Sequence, residues 1–204
     1  MTAHGEHAGV QEAACRALAS MTADNRDNTI EAGEAGAVGA AVGAMENNVE
    51  DQEIQEAACR ALASMTADNR DNTIKAGEAG AVGAAVGAME RHGEHAGVQE
   101  AACRALASMT ADNRDNTIKA GEAGAVGAAV GAMERHGEHA GVQEAACRAL
   151  ASMTADNRDN TIKAGEAGAV GAAVGAMERH GEHAGVQEAA CRALASMTAD
   201  NRDN

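Results

Sequence analysis

The chain has 204 residues, enough for one domain or two, carries a net charge of −15 and contains no Phe, Trp, Tyr or Pro. That charge disfavours nonspecific contact with nucleic acid or an anionic membrane, and no apolar run is long enough to cross a bilayer or reads as a signal peptide. The 45% hydrophobic share is mostly alanine, the best helix former, so the composition predicts an all-α chain with a core of closely packed small side chains.

In chain order, residues 1–10 are the tail of a unit that is not otherwise present, and a 44-residue period begins at Gln11. Unit 11–54 is followed by units 55–98, 99–142 and 143–186, which are letter-for-letter identical. The first unit differs from them at eight positions: Glu31 replaces Lys, and seven of the eight positions 47–54 change. A partial unit, 187–204, follows. A period in the forties points to one repeat domain, a solenoid in which each unit contacts its neighbours. Three identical units fit either recent duplication or deliberate design.

Within a unit, three pieces follow one another. From Gly97 to Ala111, Val98, Ala102, Cys103, Leu106 and Met109 recur in steps of three and four, one face of a helix. ADNRDN, from Ala111, is rich in side chains that cap or bend the backbone. A short helix is expected from Asp115 to Ala120, then a bend at Gly121 or Gly124. A medium helix is expected from Gly124 to Arg135, with Val126, Ala129, Val130 and Met133 on one face. Gly127 and Gly131 lie within it, so either that helix is weak or another backbone approaches it closely. RHGEHAG leads back to the next long helix.

Short, medium and long helices in that order resemble the armadillo repeat. ADNRDNTIKAGEAGAVGAAVGAM is similar to its first helix, bend and second helix, and QEAACRALASMTAD to its third. HEAT repeats are the runner-up, but they lack the separate short helix. The resemblance implies a right-handed α-solenoid that binds a protein or extended peptide along a concave face of third helices. Armadillo proteins that bind extended peptides typically carry a Trp and, four residues later, an Asn on that helix. Here those positions hold Arg16, Arg60, Arg104, Arg148 and Arg192, and Ser20, Ser64, Ser108, Ser152 and Ser196.

The candidate partner-binding ladder is therefore Glu56, Arg60, Ser64, Glu100, Arg104, Ser108, Glu144, Arg148 and Ser152, spaced by four within each helix and expected to point outward. A row of guanidiniums can grip carboxylates or a peptide backbone. The duller alternative is a solvated helix face with a local Glu–Arg pair. All eight histidines fall in H-G-E-H motifs: His4/His7, His92/His95, His136/His139 and His180/His183. They are weak zinc candidates, because they sit on a loop and the cysteines do not reach them; a polar loop is the favoured reading. A joint response near the usual histidine pKa of about 6.5 is a milder alternative.

Cys15, Cys59, Cys103, Cys147 and Cys191 occupy one position of the repeat. Equivalent atoms of stacked helices lie about 10 Å apart, whereas a disulfide needs Cα atoms within about 7 Å. Five reduced, buried core thiols are expected, in an intracellular, cytoplasmic setting. There is no nucleophile–base pair, phosphate loop or convergent carboxylate set, so neither an enzyme nor a cofactor is expected. Both outer edges of the array repeat the interior apolar face without a polar cap, and head-to-tail self-association is the alternative function.

Overall fold

The computed structural model describes residues 7–199; residues 1–6 and 200–204, which include His4 and the final DNRDN, lie outside the described residues. These residues form α1 (Ala8–Thr22), α2 (Arg26–Glu34), α3 (Ala37–Asn47), α4 (Gln52–Thr66), α5 (Arg70–Glu78), α6 (Ala81–Arg91), α7 (Ala96–Thr110), α8 (Arg114–Glu122), α9 (Ala125–Arg135), α10 (Ala140–Thr154), α11 (Arg158–Glu166), α12 (Ala169–Arg179) and α13 (Ala184–Thr198). No strand occurs among the described residues. The chain is an all-α solenoid of short, medium and long helices. Each long helix packs chiefly on the long helix of the next unit, with the medium and short helices stacked beside it.

The turn chemistry sets these boundaries. Asp112 sits at φ 50, a left-handed conformation that Asp tolerates. Asn113 then caps α8, its side chain accepting from the Asn116 N–H at 3.0 Å. The short helix thus starts one residue earlier and runs two residues further than the sequence indicates. Gly124, at φ 80, makes the bend, while Gly121 remains helical. The long helices are capped by His95, His139 and His183, whose Nδ1 atoms accept the N–H three residues on. In the first unit Asp51 takes that place and accepts from both Glu53 and Ile54.

The core is one continuous cluster. Leu62, Leu106, Leu150, Met65, Met109 and Met153 are fully buried on the long helices, and Val126, Val130 and Met133 on a medium one. Each such side chain contributes about 1.5–3 kcal/mol by leaving water, and alanine fills the space between. The medium-helix glycines do not serve close approach: an added Cβ at Gly83, Gly87 or Gly127 would meet nothing within 4 Å. At Gly131 it would meet only the Arg135 guanidinium, at 3.3 Å. The close-approach reading of those glycines therefore fails, and each costs the helix about 1 kcal/mol of propensity against alanine.

Polar ties between units supply what small side chains do not. Asn116 is buried, and its Nδ2 donates to the Thr73 and Met109 carbonyls, both at 2.9 Å. Asn72 and Asn160 do the same one unit earlier and later. Lys75, Lys119 and Lys163 each donate to a carbonyl of the preceding short helix, Gly33, Gly77 and Gly121 respectively. No short helix precedes α2 among the described residues, and α2 carries Glu31 where the others carry Lys. Buried Gln55, Gln99 and Gln143 donate to the last carbonyls of the medium helix before them, closing ends that would otherwise lack partners.

Candidate third-helix face

The proposed ladder separates into parts with different surroundings. Arg60, Arg104 and Arg148 project outward, their side chains 58%, 55% and 56% exposed. Each pairs with the glutamate one turn earlier: Arg60 with Glu56 at 2.7 Å, Arg104 with Glu100 at 2.9 Å and Arg148 with Glu144 at 2.8 Å. The carboxylates are largely covered, 20%, 20% and 17% exposed, because each reaches the amino end of the next long helix. Glu56 lies against Gly97, Glu100 against Gly141 and Glu144 against Gly185. The positive end of a helix favours a carboxylate there, and only glycine leaves room for it. The other carboxylate oxygen faces a capping histidine: Glu56 to His95 at 3.8 Å, Glu100 to His139 at 3.9 Å and Glu144 to His183 at 3.8 Å.

The serines are occupied as well, which corrects their placement on a free outer face. Ser64 bonds the Thr22 hydroxyl and the Ala19 carbonyl. Ser108 bonds Thr66 at 2.7 Å and donates to the Ala63 carbonyl at 3.1 Å. Ser152 meets Thr110 at 2.7 Å. These hydroxyls join one long helix to the one before it, and Glu and Ser are half-buried for that reason. Arginine is the outward member. Between α1 and α4 lies a cleft with Ala19 and Ala57 as its floor and Arg16, Glu53, Glu56 and Arg60 as its walls. There Arg16 holds two carboxylates, Glu12 at 2.9 Å and Glu53 at 3.1 Å.

The histidines are distributed between two structural tasks. His92, His136 and His180 donate through Nε2 to the loop carbonyls of Val49, Gly93 and Gly137 in the preceding unit, at 2.9, 2.7 and 2.7 Å. His95, His139 and His183 are the helix caps. No group of three His, Cys, Asp or Glu side chains converges as a metal site would require among the described residues.

Four cysteines are buried and Cys191 is exposed, because no long helix follows α13 among the described residues. The expectation of five buried thiols therefore fails at Cys191. Burial pushes the Cys15 thiol up to about 11, those of Cys59 and Cys147 to about 12, and Cys103 further still. Such thiols are poor nucleophiles. A thiol reagent at about pH 8 should label Cys191 alone in the folded chain and all five cysteines in denaturant, as counted by mass spectrometry. Among the described residues no helix is long and apolar enough to cross a membrane.

No family model and no curated protein matches the chain. Solved structures do. The crystal structure of one engineered protein is 27% identical, with 95% of this chain and 76% of that chain covered and a TM-score of 0.83. A second engineered protein is 26% identical, with 94% and 74% covered and a TM-score of 0.82. A designed armadillo repeat protein in complex with the peptide (KR)4 is 25% identical, with 89% and 72% covered and a TM-score of 0.74. Helix order, the bend at the left-handed glycine and the row of long helices agree with these likenesses: the chain is an armadillo-like repeat array.

Proposed function

We propose that the chain is a non-enzymatic scaffold that binds an extended peptide or protein segment along its row of long helices. The observation that carries this reading is the row Arg60, Arg104 and Arg148, one exposed guanidinium per unit, each held by the glutamate four residues before it. Each pair engages the NH2 nitrogen, which leaves Nε and NH1 as donors for a ligand. Glu56, Glu100 and Glu144 position the guanidiniums, and Ser64, Ser108 and Ser152 hold the helices that carry them. The designed armadillo protein with its (KR)4 peptide supports a peptide as the kind of partner. The test is to select peptides on the chain from a random library and to measure their affinity for the triple variant Arg60→Ala, Arg104→Ala, Arg148→Ala. Affinity should fall about tenfold or more, as for anchoring arginines at interfaces. Unchanged affinity overturns the reading.

A second reading, head-to-tail self-association, is supported by the outer long helices. α1 exposes Met21 (55%), whereas its counterpart Met65 is fully buried, and α13 exposes Cys191 and Thr198, whose counterparts Cys147 and Thr154 are buried. Ser20 of one copy would meet Thr198 of another, repeating the Ser196–Thr154 contact. Light scattering at rising concentration should show growth that Met21→Asp suppresses. A strictly monomeric solution rules this reading out.

A further inference from the structure

We infer that the segment bound along the long helices is acidic: one of its carboxylates sits on each of Arg60, Arg104 and Arg148, and Glu53 already fills the equivalent place on Arg16. The inference rests on the arginine-row reading and names the chemistry of its ligand. The first unit supplies the pattern. Arg16 carries two carboxylates on one guanidinium nitrogen, Glu12 of its own helix at 2.9 Å and Glu53 of the next long helix at 3.1 Å. Among the described residues Arg60, Arg104 and Arg148 each pair with one carboxylate alone, that of their own helix. One period after Glu53 the chain has Gly97, then Gly141 and Gly185. Glycine brings no side chain to the guanidinium, so the second place on these three arginines is left to a ligand.

Accessibility decides the sign of that ligand. The row presents its cations and withholds its anions: the arginines are more than half exposed, whereas Glu56, Glu100 and Glu144 are turned to the starts of the next long helices. A basic ligand would have to draw those carboxylates away from Gly97, Gly141 and Gly185 and displace the arginines from them. A carboxylate displaces nothing, because a guanidinium has five N–H donors and the pairing glutamate uses one nitrogen. Glu53 demonstrates the fit, since it and Glu12 share Arg16 without excluding each other. The net charge of −15 opposes an acidic ligand at a distance, but physiological salt confines that repulsion to about 8 Å.

Glu53 then has a second consequence. By filling Arg16 from within the chain it makes the α1–α4 junction unlike the junctions that follow, and so fixes where along the row an acidic segment begins. Replacing Glu53 with the glycine that the other units carry opens a fourth place.

The experiment titrates the full chain, at physiological salt, into three fluorescein-labelled peptides that alternate Glu-Ser, Gln-Ser or Lys-Ser. Each has about sixteen residues, enough at about 3.3 Å per residue to span the row. Fluorescence anisotropy should show the Glu-Ser peptide binding about tenfold or more tighter than either of the others, and the triple variant Arg60→Ala, Arg104→Ala, Arg148→Ala should remove that preference. Glu53→Gly should tighten Glu-Ser binding about two- to fivefold, the effect of one exposed ion pair, and adding Arg16→Ala should cancel the gain. No binding of the Glu-Ser peptide, equal binding of the Gln-Ser peptide or tighter binding of the Lys-Ser peptide overturns the inference. So does an affinity that Glu53→Gly leaves unchanged, or a gain that survives Arg16→Ala, which would reflect net charge alone. Each of these results leaves the arginine-row reading standing so long as library-selected peptides still lose affinity in the triple variant.

Discussion

Replacing Asn116 with Ala should lower the stability of the chain by about 3 kcal/mol, and the melting temperature by about 6–12 °C for a chain of this length. The Asn116 side chain is 2% exposed, and its Nδ2 satisfies two carbonyls at once, Thr73 on the short helix of the previous unit and Met109 on the long helix before it. Removing the amide strands the Met109 carbonyl in the interior, at about 1–3 kcal/mol, takes from the Thr73 carbonyl its bond across the units, and opens a void beneath Gly77. Leucine at the same position restores the volume without the donor. A similar loss for alanine and leucine therefore assigns the effect to the hydrogen bonds. Asn28 supplies an internal control: its Nδ2 reaches the Met21 carbonyl alone at 2.8 Å, so Asn28→Ala should cost about half as much. Thermal melts followed by circular dichroism measure all three. An Asn116→Ala variant that melts with the parent would remove the asparagine row from any account of how the units hold together.

How far the sequence reveals this structure depends on which contacts are local. The long helix is legible because Val98, Cys103, Leu106 and Met109 follow the 3.6-residue period on a single element, and the structure buries them together. The outward arginine follows from the same periodicity. Its neighbours do not. Glu100 is covered by Gly141 and His139 at the start of the next long helix, and Ser108 by Thr66 of the preceding one. A perfect repeat shows which letters recur but not which copies touch, so contacts between units leave no signature in any one unit. The short helix carries a clue of its own. RDNTIKAGE has no apolar face, yet Asn116, Thr117, Ala120 and Gly121 are its buried residues. A helix without an apolar face can pack inward only if its polar side chains find partners there, and this helix packs inward on asparagine and threonine beside alanine and glycine. The histidines are ambiguous in the sequence for a related reason: a cap, a bond to a neighbouring carbonyl and a metal ligand all favour a polar residue beside glycine.

Glycine-to-alanine substitutions should have opposite signs at two places in the same unit. At Gly77 an added methyl would overlap the Asn116 side-chain oxygen, and that side chain cannot retreat without breaking its bonds to Thr73 and Met109. Gly77→Ala should therefore destabilise by about 2–3 kcal/mol despite the better helix propensity of alanine. At Gly83, Gly87 and Gly127 the same methyl meets nothing within 4 Å, and the helical backbone suits alanine. Each of these should stabilise by about 0.5–1 kcal/mol, because the unfolded chain loses freedom and the helix gains propensity. Chemical denaturation of the four single variants gives the comparison. The decisive measurement is the double variant of Gly77→Ala with Asn116→Ala. With the asparagine side chain gone, the methyl fills the space it left, so the loss at Gly77 should shrink to near zero, a coupling of about 2 kcal/mol. Simple additivity would mean that Gly77 is held by something other than the asparagine row, and a stabilising Gly77→Ala would mean that the units do not approach one another as closely as their short helices do in this structure.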